Sequence, residues 1–253
     1  MIKLGVCSVT FRHLSYSEVI NLVKQSGLDG IEWGSDVHVP PTEEGKAEEV
    51  TLAMQNAGIE TLSYGSYYRL GENADHCASF LHVVESAKAL GVTVIRIWGG
   101  KKNRDQLTDQ EYRELIQETL DIADIAKENG MKIAFEFHPN SLTNDCDSAI
   151  QLMEDLHHDA VGLYWQVILT QSVEENIANL QRVLPYLINV HVFNYKEKKQ
   201  QLLDEYDGLV AWKQYVNIVK SDEKEHHFLL EFTKDKLPEN FLHDAKVLID
   251  LVR

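Results

Sequence analysis

Short runs of β-branched and aromatic residues alternate along this chain with longer segments whose apolar positions recur every three or four residues. The runs are Ile2–Val6, Gly30–Trp33, Ile59–Tyr64, Val94–Trp98, Lys132–Phe137, Val161–Trp165, Ile188–Phe193 and Phe228–Phe232. Their interiors are unbroken apolar stretches, the pattern of parallel strands covered on both faces. Their starts lie 27 to 40 residues apart, room for one helix in each interval. Tyr16–Gln25 sets Val19, Ile20, Leu22 and Val23 on one side, and Glu43–Asn56, Ala74–Leu90 and Thr108–Asn129 carry helical patterns too. Gly27, Gly58, Gly91 and Gly130 follow these segments, as helix-terminating residues do. Eight such alternations predict an α/β fold, a single (β/α)₈ TIM barrel occupying 1–253 as one domain. An open doubly wound sheet is the runner-up, but no G-x-G-x-x-G follows the first strand.

Composition narrows the partners. With 44% hydrophobic and 25% charged residues the chain reads as an ordinary soluble protein. No apolar run reaches the roughly 18 residues of a membrane span. The opening Met1-Ile2-Lys3-Leu4-Gly5-Val6 turns polar too soon for a signal peptide, so a cytoplasmic location is expected. Lys and Arg number 24 against 40 Asp and Glu, a net charge of −16 that disfavours a nucleic-acid partner. Cys7, Cys77 and Cys146 share no C-x-x-C spacing and read as reduced packing thiols. A small molecule is the expected partner, with no nucleic acid and no membrane; self-association is left open.

In a barrel, residues at the carboxyl ends of the strands converge on one mouth. The fifth run, Ala134-Phe135-Glu136-Phe137-His138, embeds a carboxylate in apolar surroundings, and the eighth, Phe228-Leu229-Leu230-Glu231-Phe232, embeds another. The seventh, Asn189-Val190-His191-Val192-Phe193, embeds an imidazole, and the sixth ends in the amide of Gln166. Such groups are costly to bury without partners. Either each is hydrogen-bonded into a polar core layer, or all four share a cation. Two carboxylates, one imidazole and one amide oxygen suit Mn²⁺, Mg²⁺ or Co²⁺ with open positions, and Zn²⁺ less well.

Several phrases carry a resemblance. Ile31-Glu32-Trp33-Gly34-Ser35-Asp36-Val37-His38-Val39-Pro40, Ser63-Tyr64-Gly65-Ser66-Tyr67-Tyr68-Arg69, Arg96-Ile97-Trp98-Gly99-Gly100 and Glu136-Phe137-His138-Pro139 resemble the sugar phosphate isomerase/epimerase branch of the xylose-isomerase-like TIM barrels, in the AP endonuclease family 2 superfamily. The resemblance implies a divalent ion, Mn²⁺ first, held by Glu136, Gln166, His191 and Glu231. Gln166 stands where the sugar epimerases have Asp, and Leu169 where the ketose epimerases have a further His. It also implies proton transfer beside a carbonyl through an enediolate, with Glu136 and Glu231 as the catalytic pair.

Other residues carry two readings each. Glu32 and His38 either bind substrate hydroxyls or brace a loop, and His138 either meets substrate or supports Glu136. Arg96 and Trp98 share a strand face and are expected to touch substrate; Phe11, Tyr64 and Trp165 read first as plain core, and second as an aromatic wall joined to Trp98. Arg69, Lys101 and Lys102 read as solvated cations rather than a phosphate site. His157-His158 and His226-His227 read as structural, the second pair preceding the last strand. Against the isomerase stand a dehydratase of inosose type, a degenerate sugar-binding protein and, least supported, a multi-zinc nuclease.

Overall fold

The computed structural model describes residues 1–253. Eight parallel strands close on themselves: β1 (Ile2–Cys7), β2 (Gly30–Gly34), β3 (Glu60–Arg69), β4 (Val94–Trp98), β5 (Lys132–Glu136), β6 (Val161–Trp165), β7 (Leu187–Val192) and, after a hairpin of β8 (Asn194–Lys196) and β9 (Lys199–Gln201), β10 (His226–Leu230). Closure is explicit in the pairing, since β1 meets β2 on one side (Cys7 opposite Glu32) and β10 on the other (Val6 opposite Leu230). Helices α1 (Tyr16–Ser26), α2 (Lys46–Ala57), α3 (His76–Ala89), α4 (Asp109–Glu128), α5 (Cys146–Leu156), α6 (Val173–Val183), α7 (Gly208–Lys220) and α8 (Pro238–Val252) ring the outside. The predicted TIM barrel is therefore the fold. No helix is long and apolar enough to cross a membrane.

Local chemistry explains the helix boundaries. Ser15, Thr108 and Ser172 each accept a hydrogen bond from the third helical N–H, while Glu18, Glu111 and Glu175 reach back to the capping backbone. Gly27 ends α1 at φ 75° and Gly58 ends α2 at φ 70°, backbone that a Cβ would strain. The main apolar core lies between strands and helices. A smaller cluster, including Cys7, Leu62, Ala134, Tyr164 and Leu229, packs separately from it.

Three departures from the predicted elements matter at the mouth. Strand β3 runs five residues beyond Tyr64 to Arg69 through a register shift, and Tyr67 within it adopts φ 56°. The β8–β9 hairpin turns at Glu197 (φ 51°) and Lys198 (φ 63°), left-handed positions without the Asn-Gly signal that advertises such a turn. The last strand is displaced toward its N-terminus, so His226 and His227 lie inside it rather than ahead of it. His226 there bonds Ile188 O and Asp222.

Candidate active site at the barrel mouth

Period-two alternation aims one set of side chains into the barrel: Gly5 and Cys7, Gly30 and Glu32, Arg96, Ala134 and Glu136, Tyr164, His191, and Leu229 and Glu231. Among them lies a buried ionic cluster. Arg96 is 2% exposed; its Nε donates to Glu32 Oε1 at 2.9 Å and its Nη1 to Glu136 Oε2. Trp98 Nε1 donates to the same Glu136 oxygen, and Ser63 Oγ donates to Glu32 Oε2 at 2.8 Å. Room for the guanidinium depends on Gly65, where an added Cβ would come within 2.6 Å of Arg96 Nη2. Burial alone would raise the Glu32 pKa, but the Arg96 charge and the His191 ring outweigh it and hold Glu32 well below the usual carboxylate range. Burial and the neighbouring Glu32 push the Cys7 thiol up, so it sits beside that carboxylate as a neutral donor, Sγ 3.6 Å from Oε1.

One layer nearer the mouth, His191 is fully buried. Its Nδ1 faces three oxygens: Gln166 Oε1 at 3.1 Å, Glu231 Oε2 at 3.2 Å and Glu136 Oε1 at 3.7 Å. Donors adjacent around a divalent ion with bonds near 2.1 Å sit about 3 Å apart, so this spacing suits one ion. The amide of Gln166 is oriented by its own Nε2, which donates to Phe137 O at 2.6 Å and so turns Oε1 inward. His191 Nε2 is buried without a hydrogen-bond partner, 3.8 Å from Glu32 Oε1, whereas Nδ1 faces acceptors only and donates to them when it carries a proton. The charges agree with the geometry. Glu32, Glu136 and Glu231 against Arg96 leave two negative charges around a neutral His191, which a divalent cation balances. Burial opposes a charge on His191, yet Glu231 and its other neighbours raise its pKa well above the usual value, so a metal ion at Nδ1 would compete with a proton there. The donor set fits a divalent ion.

The profile of the xylose isomerase-like TIM barrel family matches residues 20–251 of the chain. This protein belongs to that family. A relative within it is the 3-dehydroshikimate dehydratase of Bacillus anthracis, 22% identical over 204 residues that cover 76% of this chain and 71% of that one. Among solved structures, a xylose isomerase-like TIM barrel protein from Mycobacterium smegmatis in complex with magnesium superposes with a TM-score of 0.77 at 16% identity, covering 99% of this chain and 98% of that one. A D-psicose 3-epimerase crystallised with D-fructose gives a TM-score of 0.77 at 14% identity, covering 99% of each chain.

As built in this xylose isomerase-like barrel, the mouth is a cavity of about 320 Å³ floored by Arg96, Glu136 and Glu231. Trp98, His138 and Gln166 line it as well, and the His138 and Trp98 rings lie 5.2 Å apart. His38 does not reach it. Gly34 N–H donates to Ser8 Oγ (2.9 Å), which meets His38 Nδ1 at 3.0 Å, while His38 Nε2 lies 3.0 Å from Leu14 O. The ring is 4% exposed with both nitrogens engaged, so it braces the β2–α2 loop instead of offering a donor to a sugar. Glu32 likewise sits below the cavity, 1% exposed, and acts on it through Arg96. The core reading of the strand-end aromatics holds for three of them, and other rings make the wall. Phe11, Tyr64 and Trp165 are fully buried, and Tyr67, Phe193, Tyr195 and Phe232 line the cavity with Trp98. Tyr67 and Phe232 enter through positive φ values (56° and 54°), which no sequence pattern announces. Arg12, also unexpected, lines the rim with Nη2 on the Tyr67 hydroxyl (2.6 Å) and Nε on Asp36. Arg69 stacks 4.0 Å from the Trp98 centroid, and Lys101 and Lys102 pair with Glu72 and Glu111.

Proposed function

We propose that this protein is a sugar isomerase or epimerase that moves a proton beside a ketose carbonyl through an enediolate. The observation that carries the reading is the convergence of Glu136, His191 and Glu231, whose ligand atoms lie within 4.8 Å of one another at the floor of a sugar-sized cavity. A divalent ion bound by Glu136, Gln166, His191 and Glu231 would act as Lewis acid toward the substrate carbonyl and hydroxyl. Magnesium in a structural neighbour supports a divalent ion, with Mn²⁺ our first choice for this donor set.

Glu231 takes the proton from the carbon beside the carbonyl; its bond to His191 leaves the carboxylate aimed at the cavity. In an isomerisation Glu231 returns that proton to the neighbouring carbon; in an epimerisation Glu136 takes up a proton from solvent at Oε1 and delivers it to the opposite face, while Glu231 releases its proton to solvent. Arg96 and Trp98 occupy Glu136 Oε2, which leaves Oε1 to serve both the ion and this step. His138 and Trp98 contact the substrate at the rim. Each rim cation is already engaged within the chain, which supports an unphosphorylated sugar.

The restraint on Glu136 favours one second reading, a dehydratase. There Glu231 alone would remove the proton, the adjacent C–O bond would break, and the hydroxyl would leave with that proton as water. The dehydratase relative points the same way. Solvent deuterium incorporation, screened across pentuloses, hexuloses and their phosphates with Mn²⁺ present, tests the common step. Exchange without change of mass beyond the label supports the isomerase, and loss of water supports the lyase. Glu231→Gln should abolish exchange with the fold intact; retained exchange removes Glu231 from the reaction.

A further inference from the structure

A second cavity adjoins the mouth, a cleft of about 480 Å³ between the β6–α6 loop and the chain leading from β7 into α7. Leu169, Phe193 and Tyr195 line both spaces, so the two adjoin along one edge. The outer wall is the β8–β9 hairpin and the turn after it. On that wall Tyr206 is 66% exposed and adopts φ 54°, a left-handed conformation that a bulky residue adopts only when its surroundings impose it. Its ring flanks the cleft, with Lys196 Nζ 5.7 Å from the centroid. Asp207 and Gln171 add a carboxylate and an amide to the rim. A strained aromatic with no apolar cover contributes little to the core. It suits a ligand with a flat C–H face and a rim of hydroxyls.

We propose that this cleft is a subsite for a second sugar ring stacked on Tyr206, so that the substrate is a glycosylated ketose rather than a free monosaccharide. The proposal rests on the sugar reading of the mouth. The reacting ketose occupies the cavity over Glu136 and Glu231, and the glycosyl ring crosses the Leu169–Phe193 edge into the cleft. Leu169, 55% exposed at that edge, offers an apolar saddle to the linkage.

The test uses the full-length protein with Mn²⁺ and compares D-fructose with its glucosyl derivatives turanose, maltulose and isomaltulose. Affinity is measured by calorimetry, and contact with the glucosyl ring by saturation-transfer NMR. At least one disaccharide should bind about tenfold more tightly than fructose, with saturation reaching its glucosyl protons. Tyr206→Ala should bring the disaccharide-to-fructose ratio close to one, and Tyr206→Phe should keep most of it. No disaccharide preference, or a ratio unmoved by Tyr206→Ala, overturns the subsite. Tyr206→Ala that dissociates a dimer without moving the ratio also overturns it, in favour of a subunit contact. Deuterium exchange into fructose without disaccharide preference would remove the subsite and leave the isomerase reading standing. Disaccharide preference without exchange into any sugar would do the reverse.

Discussion

Arg96 is the residue whose removal the structure makes most readable. Replacing it by Met keeps a similar linear volume but leaves Glu32 (1% exposed) and Glu136 (4% exposed) without their shared cation. Breaking a buried ion pair from one side costs about 3–5 kcal/mol, most of it the desolvation of the abandoned charge. Two carboxylates are abandoned here, although Glu136 lies close enough to the mouth to recruit water. We therefore expect Arg96→Met to lower the unfolding free energy by about 4 kcal/mol, a shift of about 1–2 M in urea midpoint. The pH dependence gives a sharper check. In the wild type Glu32 is held below its usual range, so its contribution is complete above the unfolded pKa near 4.3 and fades only as pH falls toward the folded value. Without Arg96, burial is opposed only by the His191 ring, so Glu32 titrates above its wild-type position and the stability it contributes above about pH 4.3 is reduced. The destabilisation should thus be larger at pH 8 than at pH 4.5. A loss under about 1 kcal/mol, or one constant across that range, would refute the claim that Arg96 neutralises a dry pair of carboxylates.

Gln166→Asp should tighten Mn²⁺ binding on the order of tenfold by adding a charged ligand, read by calorimetry; an unchanged affinity would show that residue 166 does not touch the ion. Mn²⁺ affinity should fall as pH drops, because protonated His191 must lose its proton to bind, and a flat profile from pH 6 to 8 would exclude Nδ1 as a ligand. His38→Ala should cost about 1–3 kcal/mol by unpairing Ser8 Oγ and Leu14 O, seen as a lower melting temperature. Burial raises the Asp244 pKa to about 6, above its unfolded value, so its favourable contribution is present at low pH and lost as pH rises through 6. Asp244→Asn should accordingly gain stability over the wild type between pH 4 and 7, reaching about 2 kcal/mol, provided Leu203 N–H still finds an acceptor; equal urea midpoints at both pH values would contradict this.

Strand and helix succession was legible because it rests on local chemistry: unbroken apolar runs for buried parallel strands, and three-to-four-residue periodicity with glycine stops for the helices. Eight units of that kind leave a closed barrel as the economical packing, and closure brings Glu136, Gln166, His191 and Glu231 from four strand ends toward one point. The convergence of Glu136, His191 and Glu231 was therefore readable from their inward parity in otherwise apolar strands.

Only the folded chain decided what those residues do to one another. Arg96 reads in the sequence as a rim residue; its pairing with Glu32 and Glu136 depends on strand stagger and on the space left by Gly65, neither encoded within a single strand. The lining aromatics were missed for a related reason. Tyr67 and Phe232 turn into the mouth through left-handed backbone that local propensity opposes and tertiary contacts impose, whereas Phe11, Tyr64 and Trp165 are drawn into the core. Periodicity specifies which face a side chain leaves by; how far it reaches, and which charge it meets there, is set by distances between segments remote in sequence.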